Sequence, residues 1–272
     1  MRFQLILFSG CVAMLGWTAW SCLQSAKTMP DFVRVGDHHL RVLSQGQGTP
    51  SVVFESFGPA YLEHMNRVQP AISEITTTFN YDHAGHWFSE PGPKPRDARK
   101  IAEELHQALN KAKVAPPYVL VGFSFGGPYI RVFADKYPDE VAGMVFVDPS
   151  QESFMKWMNE EWEMFNVLTP AQKAAQTEWG CHWDSLNQAT EAKLPQVPIT
   201  LITGMMKTHH PFQRHYLPYK LKAHQEWLSN YQDVNHIIST NSAHAVPLSE
   251  PELIIDAIKE MIQKVRKNHH TY

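Results

Sequence analysis

The chain has 272 residues, 43% hydrophobic and 19% charged, an ordinary globular composition large enough for one substantial core. A formal net charge of −3 leaves no basic face, which argues against nucleic-acid binding. Three cysteines, Cys11, Cys22 and Cys181, match neither a disulfide framework nor a zinc spacing, so no metal or other cofactor is expected.

Residues 3–23 are nearly all apolar, with Gln4 the one strongly polar member. A segment of this length spans a bilayer or serves as a secretory signal, so residues 1–28 read as a signal peptide or membrane anchor. That reading implies an exported or membrane-anchored protein associated with a membrane through this segment.

From residue 32 onward, short β-prone runs alternate with helical stretches, the pattern of a mostly parallel sheet covered by helices on both faces. Residues 32–35 and 40–43 predict a hairpin, 51–55 a buried strand, 61–76 a helix and 77–81 a strand. Ile101, Leu105 and Leu109 share one face of a helix predicted over 97–113. The histidine pairs His38-His39, His209-His210 and His269-His270 are expected in solvated loops and the tail rather than around a metal.

Residues 118–129 carry the strongest signal. An apolar run feeds Gly122-Phe123-Ser124-Phe125-Gly126-Gly127, and residues 130–137 continue as a helix ended by Pro138. A G-x-S-x-G turn between strand and helix holds one serine in a strained, exposed conformation. Glycines two positions either side let neighbouring backbone pack without a Cβ clash. Residues 143–147 predict the next strand, ending at Asp148-Pro149.

Over 151–194 the alternation stops and tryptophan- and methionine-rich helices are expected, a helical cap (151–195) inserted after strand six. The flanking parts, 29–150 and 196–272, form the core. Strands are expected over 199–203 and 236–240, and helices over 216–231 and 251–265.

A serine hydroxyl needs a base to take its proton. His244 lies between the last strand and last helix, in Ser239-Thr-Asn-Ser-Ala-His244, and is the candidate. The acid that orients it is less determined. Asp148, at the tip of strand six, is favoured over Glu152 and Asp233; its alternative role is to cap the turn before Pro149. Asp148→Asn is expected to fold normally yet misorient His244.

Several motifs together resemble the α/β-hydrolase fold superfamily, in particular its esterase- and lipase-like serine hydrolases. They are Glu55-Ser56-Phe57-Gly58, Tyr81-Asp82-His83-Ala84-Gly85 with Ser89, the serine turn, residues 134–148, and His244 before a proline-bearing helix. The resemblance implies a central sheet of about eight strands and a serine hydrolase that cleaves a carboxylic ester through an acyl-enzyme; the aromatic and methionine residues of the pocket loops and cap lead to the expectation of a fairly apolar small substrate. It also implies an oxyanion hole from the backbone N–H groups of Phe57 and Phe125. Phe123 and Trp87 are expected in the substrate pocket. The chain departs from the family in several places: Phe123 precedes the serine, His83 replaces a common arginine, His86-Trp87 replaces a typical glycine-containing pair, and no carboxylate follows strand seven before Glu226. A catalytically silent binding or sensing protein, or an acyltransferase with the same residues, is the alternative.

Overall fold

The computed structural model describes residues 31–57, 64–162, 169, 174–207 and 211–269. The expected leader over 1–28 lies outside these residues. Among the described residues no helix is long and apolar enough to cross a membrane.

Eight strands form one sheet in the order β1-β2-β4-β3-β5-β6-β7-β8. Strands β1 (Asp31–Val35), β2 (His38–Gln45) and β4 (Thr78–Tyr81) pair antiparallel. β3 (Ser51–Glu55), β5 (Tyr118–Phe123), β6 (Val141–Val147), β7 (Ile199–Gly204) and β8 (Val234–Ser239) continue in parallel from β4. Every residue of β3, β5 and β7 is buried, because helices cover both faces.

The two-residue period of a strand sorts side chains between those faces. Tyr118 and Leu120 of β5 join a core built on α2 (Ala98–Lys111), α3 (Gly126–Lys136) and α5 (His182–Glu191). Val119, Val121 and Phe123 join the opposite core, with α8 (Pro251–His269) supplying Ile254, Ile258, Met261 and Ile262. Asp97 caps α2 by accepting from the Lys100 N–H at 3.0 Å, so this helix begins one residue later than the sequence predicts.

Two expectations change. Within the helix predicted over 61–76, residues 58–63 lie outside the described set, His64 is helical, 65–68 form turns, and α1 (Gln69–Ser73) follows. Pro70 explains the short element, since it lacks an N–H and its ring clashes with the carbonyl four residues earlier. His38 and His39 lie on β2 rather than in a solvated loop. His38 is buried 3.6 Å from Glu104, and burial lowers its pKa.

Helices α4 (Glu152–Trp162) and α5 lie between β6 and β7, α6 (Pro211–Leu228) between β7 and β8, and α7 (Val246–Ser249) after β8. The strand ends of β5, β6 and β7, together with the loop after β8, thus meet along one edge.

Candidate active site

Ser124 stands at the β5–α3 turn with φ of 56°, a left-handed conformation uncommon for a residue with a side chain. The turn is held from three sides. Its N–H donates to Val147 O at 3.1 Å, and its carbonyl accepts from Gly127 N–H at 3.0 Å and Ser150 N–H at 2.9 Å. The glycine spacing has a direct steric cause. A Cβ at Gly122 would lie 2.7 Å from Gly126 O, and one at Gly126 would lie 2.2 Å from Glu55 O.

His244 reaches this turn because the loop carrying it rests on the end of β7. A Cβ at Gly204 would come within 2.0 Å of Ala243 O, so only glycine permits the approach. Glu250 braces the same loop by accepting from the hydroxyls of Ser239 and Ser242. The imidazole Nε2 lies 3.0 Å from Ser124 Oγ, and Nδ1 lies 2.7 Å from Asp148 Oδ2. The Phe123 ring stacks on the imidazole at 5.2 Å.

Asp148 has φ of 41° and is 2% exposed. Its Oδ1 accepts from Gly204 N–H at 2.9 Å. Lys220, on α6 and itself buried, donates to Oδ1 at 2.9 Å, Oδ2 at 3.0 Å and Gly204 O at 2.5 Å. Burial alone would raise the carboxyl pKa, but the Lys220 charge and the His244 hydrogen bond outweigh it and bring it to about 2. The carboxylate therefore stays ionised at any ordinary working pH. The other two candidate acids are engaged elsewhere: Asp233 with Lys264, and Glu152 with Arg131.

Phe57 follows β3, with its ring 5.1 Å from Phe125 and 5.4 Å from Trp179. The Ser56 N–H donates to Glu55 Oε1 at 2.9 Å, which fixes the start of this loop against the Gly126 turn. Trp87 is not drawn to the site. It is 56% exposed, and its ring packs near Phe88 and the Arg41 guanidinium, which Asp82 anchors. Phe123, the other residue expected in the pocket, is covered by His244.

Sequence reasoning missed a buried network beneath the Phe57 loop. His83 Nε2 donates to Glu55 Oε1 at 2.6 Å and Nδ1 to Glu178 Oε2 at 3.1 Å. Tyr81 and Tyr129 hydroxyls donate to the same two carboxylates. Burial alone would lower the imidazole pKa, yet the two carboxylates raise it to about 10. In contrast, burial takes His224 down to about 4, so it is neutral, with Nε2 donating to Pro149 O at 3.0 Å.

These shifts set opposite limits on stability. The His83 contribution is complete below its ordinary value of 6.5 and is lost as pH rises through about 10. The His224 contribution is complete above 6.5 and is lost as pH falls through about 4. The thermal midpoint is accordingly expected to fall on both sides of near-neutral pH. A flat profile from pH 7 to 10 in melts would contradict the His83 assignment.

Residues 52–180 match a sequence family described as alpha/beta hydrolase fold, and the sheet order and serine turn above agree with it. This is an α/β-hydrolase-fold protein. The hydrolase-fold chain is similar to the uncharacterized protein YqjL of Bacillus subtilis, with 23% identity over 80% of this chain and 85% of that protein. It also resembles a pyrrolizixenacetamide deacetylase of Xenorhabdus hominickii, with 25% identity over 53% of each. Among solved structures, an esterase of Thermogutta terrifontis superposes with a TM-score of 0.59 at 16% identity, over 88% of this chain and 99% of that one. Two fungal proteins it matches are much longer, and the chain spans 17% and 20% of their lengths. Among the described residues no group of three or more His, Cys, Asp or Glu side chains is arranged to hold a metal ion.

Proposed function

We propose that the protein is a serine hydrolase that cleaves a carboxylic ester through an acyl-enzyme. The observation that carries this reading is the continuous hydrogen-bonded chain Ser124–His244–Asp148, with 3.0 Å and 2.7 Å links. His244 Nε2 takes the Ser124 proton as Oγ attacks the ester carbonyl carbon, and Asp148 holds Nδ1–H so that Nε2 is the acceptor. The carbonyl oxygen becomes an oxyanion received by the Phe57 and Phe125 N–H groups. The protonated His244 then gives its proton to the departing alcohol oxygen. Water, activated by the same imidazole, frees the acid and restores Ser124.

A serine at the turn disfavours mechanisms on this fold that need an aspartate nucleophile. The membrane or extracellular location is proposed on the apolar 3–23 segment alone.

A fluorophosphonate probe tests the reading. One equivalent is expected on Ser124 of the folded protein, located by peptide mass spectrometry. Folded protein that takes up no label would instead support a silent binding module.

A further inference from the structure

Phe32, Trp87 and Phe88 are 54%, 56% and 64% exposed, large apolar side chains left in water. Scattered singly they would need no explanation, but they gather around one arginine. Arg41 of β2 stands opposite Phe32 of β1 in the antiparallel register, so the two side chains leave the same face of the sheet. Val33 and Val35 take the other face, into the core. The Arg41 guanidinium lies 5.2 Å from the centre of the Phe88 ring and 5.9 Å from that of Trp87.

The turn that presents these two rings is fastened to β2. Arg41 N–H donates to the Ser89 hydroxyl at 2.8 Å, and Glu90 N–H donates to His39 O at 2.9 Å. Trp87 itself holds φ of 48°, a conformation a bulky residue keeps only where the surrounding structure imposes it. The outward rings are therefore fixed in place.

What covers this patch follows from the chain leading into it. Residues 3–23 are nearly all apolar, and only seven residues, 24–30, separate them from β1. Seven residues reach at most about 25 Å when fully extended. A bilayer that receives 3–23 thus lies within that reach of β1, and Phe32 is the second residue of the strand. An indole, apolar in its ring and polar at its N–H, is suited to the headgroup boundary.

We infer that Phe32, Trp87 and Phe88 dock the protein on the lipid surface that receives residues 3–23, with the β1–β2 edge of the sheet against the headgroups. The inference rests on the membrane location proposed above and is independent of the Ser124 chemistry. A second attachment beside the tether fixes which side of the domain faces the bilayer, an orientation the tether alone leaves free.

The test uses the full chain in phosphatidylcholine vesicles, oxidised by hydroxyl radicals. Flotation with the vesicles reads the tether. Oxidation of each peptide, divided by its rate in the denatured chain, reads the patch. The reference is Tyr219 of α6, which connects β7 and β8 at the opposite end of the sheet. Trp87 is expected to be protected at least fivefold more than Tyr219, although Tyr219 is the less exposed at 43%. Phe32→Asp combined with Phe88→Asp, both at exposed positions, should bring Trp87 oxidation up to the Tyr219 level without loss of flotation.

Equal oxidation of Trp87 and Tyr219 in chain that floats would overturn the proposal and leave the membrane location standing. Chain that does not float would overturn both. Protection that fades as the chain is diluted in lipid would assign the patch to a second copy of the protein, and would overturn the proposal as well.

Discussion

Asp148→Asn is expected to lower kcat about ten-thousandfold, the loss typical when a triad carboxylate becomes an amide. An asparagine that turns its NH₂ toward His244 donates where the carboxylate accepts. Nδ1 must then give up its proton, and Nε2 faces Ser124 with a donor instead of an acceptor. The same change strips Lys220 of its counter-ion. A buried charge left without its partner typically costs about 3–5 kcal/mol. The single variant should therefore melt earlier than wild type, contrary to the sequence-based expectation of undisturbed folding. Asp148→Asn combined with Lys220→Met separates the two losses, because stability should return toward wild type while turnover does not. Steady-state ester kinetics and thermal midpoints on the three proteins check this. Near-normal kcat in the single variant would show that the acid lies elsewhere.

Gly126→Ala should cost about a hundred- to a thousandfold in kcat, the range seen when one oxyanion donor is lost. The added methyl would lie 2.2 Å from Glu55 O and 2.9 Å from Ser56 N, so the backbone at 55–57 must move away from the serine turn. That motion carries the Phe57 N–H out of reach of the developing oxyanion. KM should change little, since the lost contact is made in the transition state rather than with bound ester. A folded Gly126→Ala protein with normal kcat would exclude the Phe57 N–H from the chemistry.

What could be read from the sequence follows from how local each signal is. The Gly122–Ser124–Gly126 spacing is a steric rule within five residues, and a strand–turn–helix order supports it on either side. The positions of β3, β5, β6 and β7 were readable because a strand buried on both faces reads as a near-continuous apolar run. Lys220 was not readable. A lysine within a helix ordinarily faces water, and its burial is permitted only by a carboxylate 72 residues away. The stripe Tyr216–Lys220–His224, four residues apart along α6, was the available hint. His83 was noticed only as a departure from the family, since its two counter-ions lie 28 and 95 residues distant. Trp87 was misplaced because an aromatic next to a site motif suggests a pocket, while Arg41 offered its ring a cationic partner on the surface.

Ser124 and His244 are 120 residues apart in the chain, and the loop bearing His244 is seated only when β8 has closed the far edge of the sheet. No shorter stretch of polypeptide contains the reactive pair. A chain that is half made, or drawn through a pore as an open thread, is thus chemically inert. On the proposed hydrolase reading, reactivity therefore needs both halves of the chain in their folded places.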